Sequence, residues 1–246
     1  ALAIDVEEAL LDYLDMFYNL RRAGRALRKM GAIDFATSIA PGLRDVLLTG
    51  KVYEAVRRQQ KGLDDAYDAV VLDAPPTGRI AQFLNIHEAV SGLAKVGPIR
   101  NQADSINAML RADTTVVHLV TLLEDMPVTE TEEAIEQLEP TKIAVDAVIA
   151  NMVRSMPLSD AELQTFADGN GTLSVPSFDE ADNKALVGEF AIEATRTLDH
   201  RRRRAVLDGF GTTVAEVAFD PGGIDENAVL AIADQLRAQI QLEPAR

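Results

Sequence analysis

The 246 residues contain no cysteine, which excludes disulfides and any thiolate metal centre and is compatible with a reducing compartment. No run of eighteen apolar residues occurs, and the first residues lack a basic flank followed by a small-residue cleavage site. Neither a membrane span nor a secretory leader is indicated. A lysine-bearing glycine loop of the G-x-x-x-x-G-K-[ST] kind is also missing, since Gly169, Gly171, Gly222 and Gly223 have no following lysine. Such a loop supplies the amides and the cation of a phosphate cradle. Basic residues are in deficit: 24 Lys and Arg against 39 Asp and Glu leave a formal charge of −15. Phosphate backbones are repelled by that surface, so nucleic acid is not an expected partner.

With hydrophobic residues at 47% and charged residues at 26%, the composition is that of an ordinary globular protein with a sizeable core. Its most informative stretch is Tyr67 to Arg79, YDAVVLDAPPTGR. The apolar run Ala69 to Leu72 predicts a parallel strand covered on both faces. Asp73 follows at the expected strand end. Beyond the carboxyl ends of a parallel sheet, a carboxylate is placed to hold a Mg²⁺ shell beside a phosphate. Pro75 and Pro76 stiffen the turn, and Thr77 and Gly78 add a hydroxyl and approachable amides.

Further elements follow from periodicity and punctuation. Ala1 to Asp5 is expected to end a strand, and Val6 to Leu20 to form a helix with Leu10, Tyr13, Leu14, Phe17 and Leu20 along one stripe. Helical pieces punctuated by glycine and proline continue to Lys61, and others cover Ile80 to Ala94 and Ile99 to Arg111. Strands are predicted over Thr114–Thr121, Val145–Ala150 and Thr213–Phe219. Helices are predicted over Thr129–Leu138 with Pro127 in its first turn, Pro157–Ala167, Lys184–Leu207 and Asp225–Gln241. Asp168 to Asp182 is read as a surface loop. His118, inside a predicted strand with no second ligand near it in sequence, is read as a hydrogen-bonded core histidine. The basic run His200 to Arg204 is read as a solvated helix face pairing with acidic neighbours. Alternating strands and helices predict a doubly wound, mainly parallel α/β sheet with an α-helical subdomain from 6–61 and 80–111, within one domain over 1–246.

AVVLDAPPTGR resembles the magnesium-binding strand and second switch loop of the arsenite-pump and tail-anchored-protein-targeting ATPases, in the branch of actinobacterial anion-transporting ATPases. Four further segments agree in order. AIDVEEALLDYL from Ala3 resembles the family's strand-end acidic motif, and APGLRDVL from Ala40 its proline-glycine-led helix. TLLEDMPVTETEEAIEQL from Thr121 resembles the strand, loop and helix carrying a glutamate-threonine pair, here Glu130 and Thr131. VIANMV from Val148 resembles the strand ending in an adenine-reading asparagine, here Asn151.

The resemblance implies a P-loop NTPase fold lacking its N-terminal unit, with the glycine loop and first switch lying upstream of Ala1. As written, the chain is not expected to hydrolyse ATP. In the intact protein Asp73 is expected to orient Mg²⁺ through water, Thr77 and Gly78 to register the γ-phosphate, and Asn151 to read adenine. Phe219, Asp220 and Pro221 fall where the family's adenine-covering loop lies, although DPGG departs from the usual pattern. ATP and Mg²⁺ are the implied cofactors. The implied partners are a second copy or a paralogous ATPase subunit, and a hydrophobic client protein bound by the helical layer. Met16, Phe17, Met30, Ile33, Phe35 and Met109 are candidates for that client groove, with core packing as the competing role. A cytoplasmic or membrane-peripheral location, without stable insertion, is expected. Missing cysteines argue against the metalloid-pump and zinc-clamp chemistry of some relatives. A catalytically silent association subunit is the alternative, favoured by PGLRD, Pro41 to Asp45, where the family carries a PGIDE-like pattern.

Overall fold

A computed structural model describes residues 3–18, 41–62, 66–84 and 97–240. They fall into two compact units, Ala1–Val116 with Gln137–Ala144, and Val117–Glu136 with Val145–Arg246.

The first unit is helical among its described residues. Helix α1 covers Val6–Tyr18, α2 Pro41–Gln60, α3 Thr77–Leu84 and α4 Pro98–Leu110. Residues 3–5 form no strand, contrary to expectation. Asp5 instead starts α1, accepting a 2.8 Å hydrogen bond from the Glu8 amide as an N-terminal cap does. Ala9 and Leu10 pack with Leu47 of α2, and Lys51 joins the same two helices by reaching Asp12 at 2.6 Å. At Gly50 of α2 a Cβ would stand 2.6 Å from Gln102 Nε2 of α4, the movable end of a flexible side chain, and 4.0 Å from Ile106 Cδ1, so α4 packs beside this glycine. Ala103 and Ile106 of α4 are fully buried.

Residues 66–76 carry neither helix nor strand, bend at Asp68 and join no ladder. The predicted buried strand at 69–72 is therefore not formed among the described residues, and Val71 is 94% exposed. Apolar content favours a strand only where neighbouring strands receive its amides and carbonyls and a second layer covers its faces.

The second unit contains a parallel sheet of order β1-β2-β3, with β1 at Val117–Leu122, β2 at Val145–Val153 and β3 at Thr213–Ala218. Helix α5 (Asp125–Leu138) connects β1 to β2, α6 (Asp160–Ala167) and α7 (Glu180–Asp208) connect β2 to β3, and α8 (Glu226–Gln239) follows β3. Their starts are chemically marked. Ser159 and Glu162 form a reciprocal capping box at α6, while Asp179 and Asp225 cap α7 and α8. Pro127 sits in the first turn of α5, where its absent amide costs no helical bond.

Strand alternation assigns the faces. Ala147, Ile149 and Ala215 pack against Leu236 and Ile240 at the α8 end. On the other face Arg204 of α7 donates to Glu216 at 2.7 Å and to the Val214 carbonyl at 3.4 Å. Of the basic run, the four arginines pair with acidic neighbours as expected, whereas His200 is half-buried with no partner for its Nδ1. Arg201 pairs with Asp160, Arg202 with Asp199, Arg203 with Asp125, and Arg204 with Asp208 and Glu216. His118 departs from expectation: it lies on an exposed position of β1, its Nδ1 3.6 Å from Asp146 Oδ2. Alternation explains this, because Leu119 and Thr121 take the buried face and turn His118 and Val120 the other way.

Candidate functional site

In the first unit the chemistry-bearing segment runs from Asp73 into α3. Asp73 is exposed and Thr77 is the first residue of the helix, with its side chain half-buried. The Arg79 amide donates to the Pro76 carbonyl at 2.9 Å and closes the entering turn. Among the described residues nothing lies within 4 Å of where a Gly78 Cβ would be, so that side of the helix start is open. Ile80, Phe83 and Leu84 anchor α3 by burial, at 5%, 2% and 4% exposure. A carboxylate, a hydroxyl and an open helix start thus follow one another within six residues. Positive helix-end potential suits an anion, and a hard carboxylate suits a magnesium ion whose other ligands are water and phosphate. These residues fit a Mg²⁺-nucleotide. Among the described residues no cluster of three or more His, Cys, Asp or Glu forms a protein-only metal cage.

Asp45, in the PGLRD segment, is 5% exposed. Burial pushes its carboxyl up from the ordinary range, against the attraction of Arg79 and Arg44. The expected acidic pair of this motif is thus reduced to one buried carboxyl that feels the charge of α3. Of the candidate groove residues, Met30, Ile33 and Phe35 lie outside the described residues, as do the side chains of Met16 and Phe17. Met109 is half-buried on α4.

In the second unit Asn151 lies within β2, which continues two residues beyond it. It pairs with Leu122, and the register against β3 shifts between Ala150 and Val153, where Met152 takes φ 57. This bulge sits at the carboxyl rim, where such features re-aim side chains. Thr131 is fully buried and spends its hydroxyl on the Pro127 carbonyl at 2.7 Å, so it serves α5 internally. After β3, the Asp220 carboxylate accepts from the Gly222 amide at 2.7 Å and the Asp220 carbonyl from Gly223 at 3.3 Å, with φ 83 at Gly223. Pro221 is exposed at the second position of this turn, which its fixed φ favours.

Two features at this rim were not anticipated from the residues. The guanidinium of Arg154 lies over the Phe219 ring, 3.9 Å from its centroid. Beside it a cavity of about 380 Å³ opens between the ends of β2 and β3 and helix α7. No local spacing links positions 154, 189 and 219, so only the fold brings them together. Within α7 itself, His200 buries an Nδ1 without a partner. Burial and the neighbouring Arg196 and Arg203 hold its imidazole below the ordinary range, while Glu124 pulls the other way.

The chain belongs to the anion-transporting ATPase family, whose model matches residues 1–112. It is 44% identical to ATPase BagA of Mycobacterium tuberculosis over 248 residues, covering 97% of this chain and 73% of that protein. A putative ATPase of Mycobacterium bovis matches to the same extent. ATPase GET3 of Kluyveromyces lactis is 26% identical over 182 residues, covering 61% of this chain and 52% of that protein. These names support ATP hydrolysis as the activity at the level of the family. Among the described residues no helix is long and apolar enough to cross a membrane.

Proposed function

We propose that this chain contributes the switch and base-reading parts of an ATP-hydrolysing subunit, and that hydrolysis drives rearrangement of the helices flanking the switch. The observation carrying this reading is the Asp73-to-Thr77 entry into α3, open at Gly78 and anchored from below by Ile80 and Phe83. Asp73 holds water on the magnesium side of the nucleotide, and the Thr77 hydroxyl with the Gly78 amide binds the terminal phosphate. Asn151 and the loop at Phe219 to Pro221 bind the base. Magnesium, when bound, neutralises charge on the phosphates during transfer. A phosphate-cradling lysine has no candidate G-x-x-x-x-G-K-[ST] loop in these 246 residues. Loss of the terminal phosphate releases the hold at Thr77 and Gly78, and α3 transmits that change to α2 through the Arg79–Asp45 attraction.

Assembly as a dimer with itself or a paralogous subunit, and capture of a hydrophobic client by the helices of 6–61 and 80–111, complete the proposal. A location in the cytoplasm, with contact to a membrane only at its surface, follows from it. Base reading is tested in the native protein by competing ATP against GTP. Asn151→Ala is expected to lose about tenfold in preference for ATP, the worth of a well-placed polar contact. An unchanged preference would remove Asn151 from the site. A native protein that binds nucleotide yet never hydrolyses it would favour the silent association subunit, to which PGLRD points.

A further inference from the structure

We propose that Asn170 is a covalent modification site: in the folded chain the Gly171 backbone nitrogen attacks its side-chain amide, leaving aspartate or isoaspartate just beyond α6. This chemistry is independent of nucleotide binding. Asn170–Gly171 is the one Asn-Gly pair in the 246 residues, and the fold fixes the chain on both sides of it. The Gly169 amide donates to the Phe166 carbonyl at 2.9 Å and the Asn170 amide to the Thr165 carbonyl at 3.0 Å, the paired bonds of a helix stop that turns through Gly169 at φ 77. A Cβ on Gly171 would then stand 2.0, 2.5 and 2.6 Å from three ring atoms of Phe166, down to its Cγ. That ring is braced by Phe190, with centroids 4.9 Å apart and a tilt of 54°. Close approach therefore demands glycine at 171. The same missing side chain leaves its nitrogen unshielded as a nucleophile.

Asn170 is exposed, and neither its carboxamide nor the Gly171 amide makes a hydrogen bond among the described residues. Asn183 is the contrast. Its carboxamide accepts from the Val175 amide at 2.7 Å and donates to the carbonyls of Phe178 at 3.1 Å and Asp179 at 2.9 Å, and Lys184 follows it inside α7. At Asn170 the attacking and attacked atoms belong to adjacent residues, so the step is intramolecular. Gly171 N gives its proton to a solvent base and bonds to Asn170 Cγ. The Cγ–Nδ2 bond breaks, and Nδ2 leaves as ammonia with a proton from water. Water then opens the cyclic imide. Addition at Cγ leaves aspartate, whereas addition at the main-chain carbonyl carbon leaves isoaspartate, whose backbone runs through Cγ and is longer by that atom. Either product places a new carboxylate at the negative end of α6, beside Asp168. The longer backbone also moves Gly171 off Phe166, which loosens the last turn of α6.

The test incubates the full folded chain in mildly alkaline buffer and follows each asparagine by peptide mapping, with electron-transfer fragmentation to separate aspartate from isoaspartate. Asn170 should lose its amide at least about tenfold faster than Asn183, a barrier lower by one decade of rate. The rate should rise with pH, because the Gly171 nitrogen must give up its proton. In the isoaspartate fraction the amides of residues 169 and 170 should lose protection from hydrogen exchange, the sign of a loosened α6 end. Asn170→Gln keeps the exposure but needs a larger ring to close, and it should stop the change. The proposal is overturned if Asn170 survives in the folded chain while a free peptide of residues 164–174 is modified. Equal rates at Asn170 and Asn183, or isoaspartate that leaves protection at 169 and 170 intact, would overturn it as well.

Discussion

Ala69–Leu72 and Ala147–Ala150 are both four-residue apolar runs followed by a chemically important residue, Asp73 in one case and Asn151 in the other. Their fates differ. Ala147, Val148 and Ala150 are completely buried, hydrogen-bonded between β1 and β3 and covered by helices on both faces. Val70 and Val71 are exposed, the second almost fully, in a segment without a ladder. Composition therefore states what a run can become, and the supply of partners on both edges decides whether it does.

The comparison breaks most visibly under a buried charge. Val148→Asp should cost about 4 kcal/mol or more and abolish cooperative unfolding of the second unit, because the new carboxylate would be fully buried. Val71→Asp should stay within about 0.5 kcal/mol, as exposed substitutions do. Urea denaturation of both variants checks the pair, and equal losses would show that 69–72 is covered after all.

A smaller effect tests the interior of the second unit. His200 is held below its ordinary pKa by burial and by Arg196 and Arg203. A depressed folded value stabilises the protein above the unfolded value and loses that contribution as pH falls through the folded one. Stability should therefore decline as pH drops below about 6.5. His200→Gln should flatten that part of the profile, measured by the urea midpoint across pH. A profile unchanged by the substitution would assign the decline to other groups.

Much of the second unit was legible because its signals agree. Capping residues stand at Ser159, Asp179 and Asp225, β-branched residues fill the strands, and the arginines of 201–204 find carboxylates within reach of one helix face. What local pattern could not carry is equally specific. Asp5 reads as a strand end and acts as a cap. His118 reads as core and faces outward, because alternation gives the buried side to Leu119 and Thr121. The bulge at Met152 has no residue signature, since a methionine at φ 57 is held by the ladder around it rather than by its own preference. The Arg154–Phe219 stack joins residues 65 positions apart through the β2–β3 pairing, a distance at which spacing carries no information. For the candidate site, the residue types were readable from DAPPTG and from Asn151. The exposed, unladdered setting of Asp73 was not.

Nucleotide affinity of the native protein, with and without Mg²⁺ and for wild type against Asp73→Asn, tests the central claim most directly. The account predicts that the substitution weakens ATP about tenfold when Mg²⁺ is present and leaves the metal-free affinity unchanged. Equal affinities in both conditions, or an equal loss in both, would contradict it.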